Sequence, residues 1–166
     1  RRDQIPDVSA SRHRRPDALS ILFVGRLSAP KNVATLLRAV HRVREQGIDA
    51  ELTIVGDGAE RANLAELTAA LTIGDHVRFV GAVEVDRVLD HYRRCDTLVL
   101  ASESEGWPKA IAEAMTFGLV CIGSDRGIVP QMLDEGRGLV VPPRDVEALA
   151  VALRQVAADP AAADTM

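Results

Sequence analysis

Glu105 and Glu113 stand eight residues apart in a segment, Ser102 to Met115, that leaves a β-like stretch and enters a helix. Thr97 to Leu100 reads as a short buried strand, Pro108 suits the first turn of a helix, and Ala110 to Phe117 continues with good helix formers. Glu105 is therefore expected on the loop and Glu113 inside the helix. The start of such a helix offers unpaired N–H groups and a positive dipole end, which favour an anion such as a phosphate. Gly106 permits close backbone approach, the amides of Lys109 and Ala110 fall in the unsatisfied first turn, and Pro108 donates none. Carboxylates beside such a site suit a ligand that carries both phosphate and hydroxyls, as a nucleotide sugar does.

Each carboxylate also has a purely structural reading. Glu105 near a helix N-terminus gains from the dipole, and Glu113 on a helix surface can pair with a cation. Against the second stands its setting among Ala110, Ile111, Ala112, Ala114 and Met115, where an unpartnered carboxylate is costly.

Three further loops follow apolar runs. Gly25-Arg26-Leu27-Ser28-Ala29-Pro30-Lys31 places two cations on one strand-end loop, where Arg26 and Lys31 can converge on a diphosphate or remain surface charges. Val55-Gly56-Asp57-Gly58 is a partial fingerprint whose third glycine position is Arg61, so Gly56 marks either a tight turn or close approach to a ligand. After Phe79-Val80-Gly81, Val83 is either core or one wall for a flat base.

These loops need a frame. From Leu19 onward, strand-like runs (Leu19 to Val24, Glu51 to Val55, Val77 to Val80, Thr97 to Leu100, Leu119 to Ile122, Leu139 to Val141) alternate with helical patterns. The runs are almost uniformly apolar, as parallel strands buried on both faces should be. The expected fold is α/β: a doubly wound, Rossmann-like parallel sheet of about six strands with helices on both faces. Ligands in such sheets bind at the carboxyl ends of the strands. Residues 19–158 form the expected domain, residues 1–18 a linker or arm with Arg12, His13, Arg14 and Arg15 clustered, and residues 159–166 an Ala-rich tail where a longer protein is expected to have been cut.

Composition narrows the function. Twenty Lys and Arg against 24 Asp and Glu give a net charge of −4, and aromatics are only 3%, which argues against a nucleic-acid binder. Cys95 and Cys121 show no metal-type spacing with the four histidines and read as reduced, buried spacers of a cytoplasmic protein. No run approaches a membrane span, so any membrane association is expected to be peripheral.

Taken together, Gly25-Arg26-Leu27…Lys31, Gly56-x-Gly58, Phe79-x-Gly81, Glu105-x7-Glu113 with Ala114-Met115 and Gly118, and Gly138-Leu139-Val140-Val141-Pro142-Pro143 resemble the retaining glycosyltransferases of the GT-B fold, group 1. The resemblance spans about Leu19 to Ala158. It implies the donor-binding, C-terminal half of a two-domain hexosyltransferase whose N-terminal acceptor domain lies outside this chain, inactive alone and independent of a metal or other cofactor. It also implies roles: Arg26 and Lys31 on the donor diphosphate, Glu113 on the ribose, Glu105 facing the donor sugar, Gly106, Trp107, Pro108, Lys109 and Ala110 around the phosphate and sugar, and Gly25, Gly56 and Val83 completing the donor site. Arg26, Lys31 and Glu105 are the expected catalytic group. Asn32 replaces a common glycine and is expected to change only the turn; Trp107, Pro108 and Lys109 also depart from the family pattern. Two other readings remain: a nucleotide-sugar epimerase of similar architecture, and a noncatalytic Rossmann-like nucleotide-binding module.

Overall fold

The computed structural model describes residues 17–159. The expected arm up to residue 16 and the tail from residue 160 lie outside the described residues. Six strands form one parallel sheet: β1 (Leu19–Val24), β2 (Ala50–Val55), β3 (Val77–Gly81), β4 (Thr97–Leu100), β5 (Val120–Ser124) and β6 (Gly138–Val141). The central strands carry the core. Ile21, Leu22, Ile54, Leu98, Val99 and Ile122 are fully buried, because helices cover both faces.

The helices are α1 (Val33–Glu45), α2 (Arg61–Ala70), α3 (Val85–Arg94), α4 (Lys109–Thr116), the short α5 (Val129–Met132) and α6 (Val146–Ala158). In α1, Val33, Leu36, Leu37 and Val40 recur at helical spacing and all point inward. Asp145 caps α6 by accepting from the Ala148 amide at 2.8 Å. Arg42 of α1 meets Glu147 of α6 at 2.9 Å, so these two helices share one face of the sheet.

Strand order is β3-β2-β1-β4-β5-β6. The chain steps outward from β1 to β3, then returns to the centre and steps outward the other way through β4, β5 and β6. Right-handed crossovers therefore send α1 and α2 to one face and α3, α4 and α5 to the other. The reversal falls between β1 and β4, paired Ile21 to Thr97 and Leu22 to Leu98, and it leaves a crevice at their carboxyl ends.

Both cysteines are buried and free, and burial is the main reason both thiols are pushed up to about 12. Such thiols stay protonated and serve as packing. Among the described residues, no helix is long and apolar enough to cross a membrane.

Candidate functional site

The loops after β1 and β4 face each other across the reversal point, and neighbouring loops fix both. Behind β1, the Gly25 amide donates to Val55 O at 3.0 Å, Leu27 N–H to Asp57 O at 2.9 Å, and Glu60 N–H to Leu27 O at 2.9 Å. This lacing needs both glycines of the Gly-x-Gly loop. Gly56 has φ +130°, and a Cβ there would sit 1.8 Å from Gly25 O; one at Gly58 would sit 2.4 Å from Leu27 O. The close approach anticipated at Gly56 is thus to the chain's own backbone, and Gly56 stands behind the cleft wall instead of on it.

Asn32 ties the β1 loop to the β4 loop. Its backbone is left-handed at φ 52°, a conformation open to asparagine as well as glycine. Its side chain donates to Ala101 O at 2.9 Å and to Glu103 at 3.2 Å, and Glu103 also pairs with Arg144. The expectation that Asn32 changes only the turn is corrected: its amide bridges two loops, which no glycine can do. On the far side, Gly127 at φ +58° packs under the same loop, where a Cβ would meet Glu105 O at 2.6 Å.

Between these loops opens a cleft of about 340 Å³. Eight of the anticipated residues line it: Gly25, Lys31, Glu105, Trp107, Pro108, Lys109, Ala110 and Glu113. Four do not. Arg26 is exposed beside the cleft and makes no ion pair within the described residues; Gly56 lies behind it. Val83 packs against the core, and an added Cβ at Gly106 meets nothing within 4 Å, so close backbone packing does not explain that glycine. The apolar wall that Val83 was expected to provide comes from Val85, Val88 and Leu89 of α3, with Val24 and Leu100 at the base. Their i, i+3, i+4 spacing shows an apolar face, but spacing cannot say that part of it looks into a cleft.

Two lysine–glutamate pairs set the electrostatics. Lys31 Nζ meets Glu105 Oε1 at 2.5 Å, with the side chains 24% and 9% exposed. Lys109 Nζ meets Glu113 Oε1 at 3.4 Å, one helical turn apart. The four charges cancel, so the cleft is neutral yet full of strong donors and acceptors. A phosphate can take the lysines and hydroxyls the carboxylates, each group exchanging its ion-pair partner for a ligand group. The dipole of α4 adds to the lysines on the phosphate side. One expectation is corrected: the Lys109 amide donates to Trp107 O at 2.9 Å, so of the two first-turn amides only that of Ala110 lacks a backbone acceptor among the described residues.

A separate group of titratable side chains lies away from the cleft, and no local spacing in the sequence announces it. Ligand atoms of Asp49, Glu51 and His76 lie within 4.8 Å of one another near the start of β2, the opposite end of the sheet from the cleft. The Arg44 guanidinium already serves them, at 2.8 Å from Asp49 and 2.8 Å from His76 Nε2. With its Nε2 facing that donor, the ring carries its proton on Nδ1, which donates to Glu51 at 3.1 Å.

A doubly wound parallel sheet that reverses at a crevice defines the Rossmann-like class of α/β domain. The family model described as glycosyl transferases group 1 matches residues 5–166, and the chain belongs to that family. It is 33% identical over 155 residues to a glycogen synthase of Mycobacterium tuberculosis, covering 93% of this chain and 37% of that protein. Among solved structures, sucrose-phosphate synthase from Thermosynechococcus elongatus superposes with a TM-score of 0.83 at 32% identity, over 92% of this chain and 39% of the other. Anabaena HepE, solved with UDP, shares the fold at a TM-score of 0.78 and 21% identity, over 90% of this chain and 42% of that one. The sheet is the Rossmann-like half of a GT-B fold. The chain spans well under half the length of these relatives.

Proposed function

We propose that the cleft binds a nucleoside diphosphate sugar and that the domain is the donor-binding half of a retaining hexosyltransferase. The observation that carries this reading is the facing pair of Lys31–Glu105 and Lys109–Glu113 at the sheet's reversal point. UDP in the names of structural neighbours supports the choice of ligand class. Glu113 takes the ribose hydroxyls and Glu105 the donor sugar, while Lys31 and Arg26 take the diphosphate. The α3 wall of Val85, Val88 and Leu89 flanks the nucleotide.

Departure of the diphosphate builds negative charge on its oxygens and positive charge at the anomeric carbon. Fixed cations and a helix N-terminus on the phosphate side stabilise that transition state without a divalent ion. Neither glutamate is required as a proton carrier. The acceptor and the groups that orient it belong to an N-terminal domain beyond this chain, so the chain alone binds donor and transfers nothing. Its two reduced, buried thiols suit work in the cytoplasm.

Replacing Glu113 with alanine is expected to weaken UDP or GDP binding by about 1 to 3 kcal/mol, the usual cost of losing a charged hydrogen bond, or roughly 5- to 150-fold in Kd. Calorimetric titration of both proteins checks it. Superimposable titrations would return Glu113 to a structural role.

A further inference from the structure

Tyr92 is the bulkiest fully buried side chain among the described residues, at 1% exposure. It lies on α3, and its ring stacks on Phe117 with centroids 5.7 Å apart and planes at 9°. Phe117 is the C-cap of α4, four residues after Glu113, and its amide donates to Glu113 O at 3.2 Å. Positions four apart on a helix share one side. The Tyr92 ring therefore packs on the side of α4 that also carries Glu113.

The Tyr92 hydroxyl meets no partner at hydrogen-bond geometry. The Glu113 carboxylate nevertheless acts on it: burial first, then the negative charge of Glu113, raises the phenol far above its ordinary pKa. A buried hydroxyl without a partner does nothing for the fold, and phenylalanine would fill the same space without that cost. Kept neutral, this hydroxyl has one proton to give and one carboxylate within reach.

Glu113 leans instead on Lys109, whose side chain is 74% exposed and free to leave. We propose that Tyr92 is a positioning residue for Glu113. When the ligand's phosphate draws Lys109 away, the Tyr92 hydroxyl donates to the freed carboxylate and holds its other oxygen toward the ribose hydroxyls. This rests on Glu113 being the ribose contact.

The test titrates the wild-type chain, Tyr92→Phe, Glu113→Ala and the double variant with UDP, GDP and their 2′-deoxy forms, with melting curves for each. Tyr92→Phe is expected to melt at or above the wild-type temperature. Its affinity for whichever diphosphate binds should fall roughly three- to tenfold, the net worth of one ordinary hydrogen bond. Its preference for the ribo over the 2′-deoxy form should shrink, which a merely structural change would not cause. The double variant should bind no worse than Glu113→Ala. Wild-type affinity and ribose preference in Tyr92→Phe, alongside weakened Glu113→Ala, would overturn the role of Tyr92 alone. Unchanged affinity in Glu113→Ala would overturn the ribose contact and the role of Tyr92 with it.

Discussion

Replacing Lys31 with alanine will weaken nucleoside diphosphate binding by about 2 to 4 kcal/mol, from roughly thirtyfold to loss of a measurable titration. The loss exceeds that of one hydrogen bond because Lys31 does two things. It offers a cation to phosphate, and at 2.5 Å it neutralises Glu105, whose side chain is only 9% exposed. Alanine leaves that carboxylate uncompensated beside the phosphate site, where it repels the ligand. Lys31→Ala with Glu105→Gln should therefore bind better than Lys31→Ala alone. Calorimetry on the two variants decides the matter, and equal losses would show that the Lys31–Glu105 pair is incidental to binding.

Gly56→Ala should destabilise the fold by about 3 kcal/mol or more, through backbone strain and overlap. The residue holds φ +130°, and its new Cβ would lie 1.8 Å from the Gly25 carbonyl oxygen, a backbone atom with nowhere to swing. For a chain of this size that corresponds to a melting temperature lower by roughly 6 to 12 °C. Gly106→Ala is the natural control, because nothing lies within 4 Å of the added atom, and it should move stability by no more than about 0.5 kcal/mol. A Gly56→Ala melt that overlays the wild type would show that the β1 and β2 loops are not locked together as described. The damage should also reach the cleft, since Gly25 lines its wall.

The sheet was readable because its strands are short and mostly apolar, and burial of the central ones on both faces demands that pattern. Alternation of strand and helix does not say where strand order reverses. That the crevice lies between β1 and β4 emerged only from the pairing of Ile21 with Thr97 and Leu22 with Leu98. At the site, Glu105, Glu113 and Lys31 announced themselves as charged groups beside a strand end or inside an apolar helix. Val85, Val88 and Leu89 did not, since an apolar helical face reads alike whether it meets core or cleft.

Side chains acting across loops were equally hidden. Asn32 reaches Ala101 and Glu103, some seventy positions along the chain, so local turn chemistry captured its backbone and missed its amide. The glycines at 56, 58 and 127 are required by contacts with Gly25, Leu27 and Glu105, none of them local. Lys109, by contrast, was within reach. Its spacing to Glu113 is one helical turn, and the pair follows from the sequence once α4 is placed.

On the proposed function, this cleft holds a nucleoside diphosphate sugar. A ligand that binds only the folded state raises its melting temperature by mass action, even when binding is weak, provided its concentration is well above Kd. Thermal melts of the chain with UDP, GDP, their sugar conjugates and NAD at high concentration separate a nucleotide-sugar site from a dinucleotide site. A rise with at least one nucleoside diphosphate and its sugar conjugate, and none with NAD, is the predicted result. A rise with NAD and none with any nucleoside diphosphate or nucleotide sugar would contradict it.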